Sequence, residues 1–437
     1  MPAITLTITQ GKLQDKQFTF EDRTICIIGR ANSCHIQLPS DRHHATVSRY
    51  HCLLDINPPD IRIRDFGSRN GTKVNGKCIG KREKHHTPSQ GAKLSFAEYD
   101  LHDGDEIKLG NTLFKVKIDF ATKTIFNSEP ESNIPHAIAS QAFGLASLED
   151  YTKVKELGVG GFGEVYLARH NRTGELVAIK TLLPQVAVKP YMKEMFLREI
   201  KNTKMLDHPN LVRLKDFGCS DDVFFFVMEY CSCGSVSDLI EVRQGKLTLN
   251  EATDIILQVL DGLSYAHTEL GLVHRDIKPN NIFLTIDDGK LTAKLGDYGL
   301  AKNFDLAGLS GQTMTGTAMG TPNFMSRKQV LSFKYAKPDI DIWAVAASLY
   351  FMLTLKYPRD LQGVEPILTI LKTQPVPIQA RDNSISQTIA NLIDSALQDN
   401  GELKLKSAED FKQALLQAVQ NATCKTLDIF DVEQKYV

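Results

Sequence analysis

Along the first 120 residues the apolar positions fall in short runs and never at helical spacing. Ile4-Thr5-Leu6-Thr7-Ile8 alternates apolar and polar, as a strand with one buried face does. Thr24–Ile28, Tyr50–Ile56, Ile61–Arg64 and Leu113–Ile118 are further β-rich runs. Asn70-Gly71, Asn75-Gly76 and Asp103-Gly104 stand between them as turn signals. The pattern predicts an antiparallel β-sandwich over residues 1–120. Residues 121–149 are different. Asn127 to Pro135 is polar and holds two prolines, which reads as a linker. From Tyr151 the pattern gives strands, a helix near Lys193–Met205, and strands again; after Asn250 it is mostly helical. The most apolar long stretch, Ile340 to Leu353, begins among Asp339 and Asp341. It is shorter than the roughly 20 residues that span a bilayer, so it predicts a buried helix. The resulting plan is a first domain over 1–120, a linker over 121–149, a two-lobed α+β domain over 150–420 and a tail over 421–437.

Composition narrows the function. A chain of 437 residues is too long for one core. Its net charge of -1 gives no case for nucleic acid or a membrane surface. The charge is uneven: residues 1–120 carry 18 Lys+Arg and 14 Asp+Glu, a net of +4, leaving 33 and 38, a net of -5, for the rest. A mildly basic first domain suits an acidic ligand. The 8 cysteines are scattered. Cys231 and Cys233 have no second pair at zinc spacing, so reduced thiols in a cytoplasmic protein are expected. His43-His44 and His85-His86 read as polar loop histidines. The N-terminus lacks the basic start of a signal peptide.

The densest chemistry lies between Val273 and Asn281. One short loop supplies Asp276, able to take a hydroxyl proton, Lys278, able to hold phosphate, and Asn281, able to hold a metal. Phosphoryl transfer from ATP needs these three groups close together. His274-Arg275-Asp276 with Lys278 and Asn281 resembles the catalytic loop of protein kinases, and other motifs of that family stand in order around it. Leu157-Gly158-Val159-Gly160-Gly161-Phe162-Gly163-Glu164-Val165 matches the glycine-rich loop over ATP, and Val177-Ala178-Ile179-Lys180 follows. By that resemblance Val165 and Ala178 sandwich the adenine, Lys180 holds the α- and β-phosphates, Glu199 positions Lys180, and Met228 lies at the back of the nucleotide pocket. Asp276 is the base, or the orienter of the substrate hydroxyl. Lys278 neutralises the transferring group and points to the Ser/Thr rather than the Tyr kinases. Asn281 and Asp297 hold Mg²⁺, or Mn²⁺, and Asp341 braces the loop. Gly320-Thr321-Pro322 meets the substrate hydroxyl. Thr313, Thr315 and Thr317 lie where kinases carry activating phosphates, with Arg275 as the cation that would pair with one of them.

In the first domain, Gly29-Arg30, Ser48-Arg49-Tyr50-His51, Asn70-Gly71-Thr72 and Asn75-Gly76 resemble the forkhead-associated (FHA) domain. Such domains bind phosphothreonine peptides through loops at one end of a sandwich. The resemblance gives Arg30, Ser48 and Arg49 the phosphate, Asn70 the peptide backbone, and His51 a structural role in bracing the loops. The whole chain then resembles a Ser/Thr protein kinase of the bacterial-like Hanks type. Phosphothreonine proteins and protein substrates are its partners, the FHA domain serves recruitment or autoregulation, and self-association is open. The two domains are expected to be joined by a linker and not by a shared core.

Three departures from the kinase pattern stand out. Asp297-Tyr298-Gly299 replaces Asp-Phe-Gly, and Thr203 takes a position that is usually leucine; the two polar changes suggest a shared hydrogen bond or water. Ser326-Arg327-Lys328 stands for Ala-Pro-Glu, whose glutamate normally pairs with a downstream arginine. That pair is therefore lost or inverted, for instance as Lys328 with Glu402. Ala346 replaces a common glycine. The alternative is a pseudokinase adaptor in which both domains only bind.

Overall fold

The computed structural model describes residues 2–21, 24–83, 85–86, 96–119, 148–160, 163–182, 204, 206–220, 223–298, 322–331, 337–362, 365–399 and 405–433. The first domain is a sandwich of two sheets. One sheet runs β2 (Gln17–Phe20), β1 (Ala3–Gln10), β11 (Thr112–Asp119), β10 (Glu106–Leu109), β7 (Thr72–Val74), β8 (Lys77–Gly80). The other runs β4 (Ile36–Gln37), β3 (Thr24–Gly29), β5 (Cys52–Asn57), β6 (Asp60–Asp65), β9 (Tyr99–Leu101). Pairing is antiparallel except between β3 and β4. Ile4, Leu6 and Ile8 face Cys26, Ile28, Leu54, Ile63 and Phe114 in one apolar core. The alternation in β1 thus packs one face and leaves Thr5 and Thr7 outside.

The second domain opens with a five-stranded antiparallel sheet. Its order is β12 (Tyr151–Gly160), β13 (Gly163–His170), β14 (Leu176–Leu182), β16 (Val223–Glu229), β15 (Leu214–Ser220). A hairpin of β17 (Ile282–Asp287) and β18 (Lys290–Leu295) follows the helical start of the second lobe. The helices are α1 (Val236–Arg243), α2 (Leu249–Glu269), α3 (Arg327–Leu331), α4 (Pro338–Thr354), α5 (Pro366–Lys372), α6 (Gln387–Ala396) and α7 (Ala408–Glu433). Capping boxes start α1 at Ser235 and α2 at Thr248, each with the acid three residues on bonded back to the cap. The apolar run at Ile340–Leu353 is α4, buried on nearly every side and packed on α2 and α6. Ala346 within it is fully buried. α7 runs unbroken past residue 420 to Glu433, so the tail expected from 421 begins as helix. The helix expected near Lys193–Met205 lies outside the described residues apart from Lys204, as does the linker up to 147. Among the described residues no helix is long and apolar enough to cross a membrane.

A shared core between the domains overturns the expectation of a linker alone. Ile25, Ile27, Tyr50, Leu53 and Phe66 of the sandwich pack with Met325, Val330, Ile367, Leu368, Ile370 and Leu371 of the second lobe. β3 is buried on both faces, with Cys26 and Ile28 inward and Ile25 and Ile27 against α3 and α5. A buried ion pair crosses this contact, Arg64 Nη2 to Glu365 Oε1 at 2.9 Å. Glu365 also caps α5, accepting from Leu368 N–H through its other oxygen. His35 accepts Ile27 N–H at Nδ1 (3.1 Å), which leaves Nε2 to donate to the Leu331 carbonyl across the interface. Tyr50 Oη donates to the Leu371 carbonyl at 3.4 Å.

Candidate functional site

The loop from Val273 to Asn281 hangs from one carboxylate. Asp341, fully buried on α4, accepts from His274 N–H at 2.7 Å and Arg275 N–H at 2.8 Å. His267 Nε2 on α2 meets the same carboxylate at 2.9 Å. These bonds hold Arg275 at φ +68°, a left-handed backbone that turns the chain toward Asp276. His274 Nε2 donates to the Gly296 carbonyl at 2.8 Å and its Nδ1 accepts from Asp276 N–H at 3.2 Å, so one ring ties this loop to the end of β18. Asp276 Oδ2 receives Lys278 Nζ and Asn281 Nδ2, each at 3.0 Å. Asn281 Nδ2 also donates to the Asp276 carbonyl at 2.8 Å, which leaves the amide oxygen as its ligand end. Gly296 N–H bonds to the Asn281 carbonyl at 2.9 Å and sets Asp297 beside it. Asp297, at φ +58°, pairs through Oδ2 with Lys180 Nζ at 2.7 Å. Two oxygen-bearing side chains thus adjoin at the cleft, a donor set that fits a hard divalent cation.

The first lobe covers this cleft. Ala178 and Met228 are cross-strand neighbours, and Val165 lies opposite Lys180. Leu157 and Val159 are exposed on β12. A Cβ on Gly158 would meet nothing within 4 Å, whereas one on Gly163 would come 1.8 Å from the Thr181 carbonyl. Gly163 is therefore required by close approach of β13 to β14, and Gly158 borders open space. Glu164 is held by Lys153 at 2.8 Å. Gly160 pairs with Gly163 in the ladder. Gly161, Phe162, Glu199, Thr203, Thr313, Thr315, Thr317, Gly320 and Thr321 lie outside the described residues.

In the first domain the sandwich loops converge. Arg30 Nε donates to the Val47 carbonyl at 2.6 Å, Asn70 Nδ2 to the Thr46 carbonyl at 2.7 Å, and Ser48 Oγ accepts from Arg69 N–H at 3.1 Å. Arg30, Ser48 and Asn70 are thereby tied to one loop, with Arg49 exposed on it. Behind them His51 is fully buried. Its Nδ1 accepts from Ser48 N–H at 3.0 Å and its Nε2 donates to the Gly71 carbonyl at 3.2 Å. Burial pushes its pKa below the ordinary histidine value, against the opposing pull of Asp65 and the Gly71 carbonyl. A Cβ on Gly29 would lie 2.2 Å from the Arg49 carbonyl, so only glycine lets β3 pass this loop. Nearby, Glu83, His85 and His86 bring one ligand atom each within 4.8 Å of one another, a proximity not read from the sequence.

Comparison with known proteins agrees with this geometry. The protein kinase domain model matches residues 151–415, and the FHA domain model matches residues 26–110. The chain belongs to the protein kinase family, with an FHA domain ahead of the kinase domain. The "Probable serine/threonine-protein kinase fhkA" of Dictyostelium discoideum is 30% identical over 386 residues, 78% of this chain and 61% of that protein. The "Serine/threonine protein kinase OSK3" of Oryza sativa subsp. indica is 34% identical over 226 residues, 52% of this chain and 42% of the relative. The chain thus spans about half the length of these curated relatives. The kinase domain of PknI from Mycobacterium tuberculosis superposes with a TM-score of 0.50 at 23% identity, over 62% of this chain and 98% of that one, a likeness of fold.

The kinase's departures take definite form. Tyr298 is buried against His274, ring centroids 4.6 Å apart. Its hydroxyl has no hydrogen-bond partner among the described residues, and the expected partner Thr203 is not among them. Burial, then the Asp341 charge, raises its pKa far above the usual phenol. Among the described residues, the ion pair of the Ala-Pro-Glu region is inverted, and it is formed by arginines and not by Lys328. Asp399, wholly buried, is the acid; Arg359 bonds it directly, and Arg327 Nε lies at 3.9 Å. Lys328 turns outward to Asp339 at 2.8 Å. Glu402 is outside the described residues. Arg359 also lies 5.1 Å over the Trp343 ring and donates to the Met325 carbonyl at 3.4 Å. Gln329, missed by the sequence reading, donates from Nε2 to the Arg275 carbonyl at 2.7 Å and ties α3 to the catalytic loop.

Proposed function

We propose that the protein transfers the γ-phosphate of ATP to serine or threonine hydroxyls of proteins, and that its FHA domain binds phosphothreonine peptides. The observation that carries the first part is the convergence of Lys278 and Asn281 on Asp276 Oδ2, with the Lys180–Asp297 pair beside them. The substrate hydroxyl oxygen bonds to the γ-phosphorus as the bond from that phosphorus to the β–γ bridging oxygen breaks. The hydroxyl proton passes to Asp276 and ADP leaves with the electron pair. Lys278, 3.0 Å from Asp276, is placed to offset charge on the moving phosphoryl group. Lys180 holds the α- and β-phosphates, and Ala178, Val165 and Met228 line the adenine slot. Asn281 Oδ1 and the Asp297 carboxylate would hold Mg²⁺ or Mn²⁺, which when bound neutralises the phosphate oxygens. Arg30, Ser48 and Arg49 hold the phosphate of a peptide, and Asn70 its backbone. What favours transfer over a binding-only adaptor is that the departures from the family lie at Tyr298 and Arg327–Lys328, behind the reacting groups.

The test is transfer to a generic basic protein with Mg²⁺ and with Mn²⁺. Wild type should phosphorylate it. Asp276→Asn should abolish transfer while binding ATP, and Lys180→Met should lose transfer through misplaced phosphates. Near-wild-type turnover by Asp276→Asn would overturn the assignment. Mapping of phosphate on Thr313, Thr315 and Thr317 after incubation with Mg-ATP tests activation by autophosphorylation.

A further inference from the structure

The shared core sets a residue of the kinase domain beside the phosphopeptide loops. Tyr50 follows Arg49 in the chain, and its hydroxyl bonds to the carbonyl of Leu371. Lys372 comes next, in the last turn of α5. Arg82 is anchored on the sandwich by its backbone N–H, bonded to the Ser68 carbonyl at 3.1 Å, two residues from Asn70. Lys372 is exposed to solvent, yet the adjoining domain depresses its pKa, through burial first, then the charges of Arg82 and Arg49. Glu365, the acid that acts on it, already accepts from Arg64 and from Leu368 N–H. Three cations from two domains are thus gathered at one rim. Like charges brought together this way destabilise one another until an anion joins them, which is the electrostatic mark of a binding site.

We propose that Lys372, with Arg49 and Arg82, extends the phosphothreonine site across the domain boundary and selects peptides with an acidic group flanking the phosphothreonine. This rests on the reading of the FHA loops as a phosphothreonine site. Arg49 is the hinge of the arrangement: it belongs to the phosphate loop and neighbours Lys372. A peptide held by Arg30, Ser48 and Asn70 runs past this rim on one side, where a carboxylate or a second phosphate meets the cluster. The kinase domain would then contribute to which phosphorylated proteins are recruited, a selectivity the isolated sandwich lacks.

The test uses the full chain and fluorescence anisotropy of three kinds of phosphothreonine peptide. One has alanine on both sides, one carries aspartate at each flanking position in turn, and one carries a second phosphate there. Wild type should bind the acidic peptides more tightly than the alanine peptide, by about fivefold at the preferred position. Lys372→Ala should remove that preference, so that the acidic and alanine peptides bind alike, and Lys372→Glu should reverse it toward lysine-flanked peptides. An acidic preference intact in Lys372→Ala, or absent in wild type, overturns the inference. Arg30→Ala should lose all three peptides; if it binds them as wild type does, the phosphothreonine reading itself fails. The aspartate and second-phosphate arms separate a carboxylate ligand from a doubly phosphorylated one. Matching melting temperatures for wild type and the Lys372 variants exclude loss of the interface as the cause.

Discussion

The two sites are braced in opposite ways. The catalytic loop is hung from an anion: Asp341 takes two backbone N–H groups and a histidine. The phosphopeptide loops are hung from a neutral ring: His51 accepts from Ser48 and donates to Gly71. A buried imidazole that must accept at one nitrogen loses that bond when protonated. The neutral brace therefore predicts that peptide reading weakens in mild acid.

The largest effect should come from the anionic brace. Asp341→Asn replaces one acceptor oxygen by a donor, set against the N–H of either His274 or Arg275. Turnover should fall by about a hundredfold or more, since misplacing a catalytic group by 1 Å costs about that much. Single-turnover kinetics on protein that still melts cooperatively check this, and turnover within a few-fold of wild type would break the comparison.

Next in size is the interface. Arg64→Ala or Glu365→Ala leaves a buried charge without its partner, which costs about 3–5 kcal/mol in such pairs. The exchange Arg64→Glu with Glu365→Arg should recover part of the loss. Denaturant melts of the singles and the double measure the coupling, and additive losses would deny the pair its role.

The neutral brace gives the pH dependence. His51 and His35 both have pKa values lowered by burial, so the folded protein resists the proton that the unfolded chain accepts. Their contribution is whole above the unfolded value of about 6.5 and declines as pH falls below it. Calorimetry from pH 8 to pH 5.5 should show the sandwich losing melting temperature below about 6.5. A flat profile would show that neither ring needs to stay neutral.

The smallest effect is at Tyr298. Removing a buried hydroxyl that has no partner among the described residues should raise stability, by about 1 kcal/mol. A thermal melt of Tyr298→Phe decides it, and a loss of stability would point to a partner for the hydroxyl.

What could be read from the sequence was whatever is local or ordered along the chain. Alternation in β1 and the Asn-Gly turns gave the sandwich, and the apolar run in α4 gave a buried helix. The spacing within 274–281 gave the loop that the fold closes on Asp276. The domain contact was missed, although a signal for it stands in β3. Ile25-Cys26-Ile27-Ile28 is continuously apolar, as a strand buried on both faces is. Arg64–Glu365 and Arg359–Asp399 join residues 301 and 40 positions apart, with no periodicity to announce them. The resemblance left that pair lost or inverted, and the acid of the pair among the described residues is Asp399, with Glu402 outside them.

That inversion bears on how such a kinase can change over generations. In the family pattern the acid is on the segment near residue 328 and the base is downstream; here the base is on Arg359 and Arg327 and the acid is Asp399. No single substitution converts one arrangement into the other. Each halfway form buries two like charges or leaves one alone, in a place with no water to relieve it. The lineage is therefore confined to its own version of the clasp. A segment transplanted from a relative of the usual kind would take the Arg327 guanidinium away from Asp399 and set a glutamate beside Asp339, where Lys328 now stands.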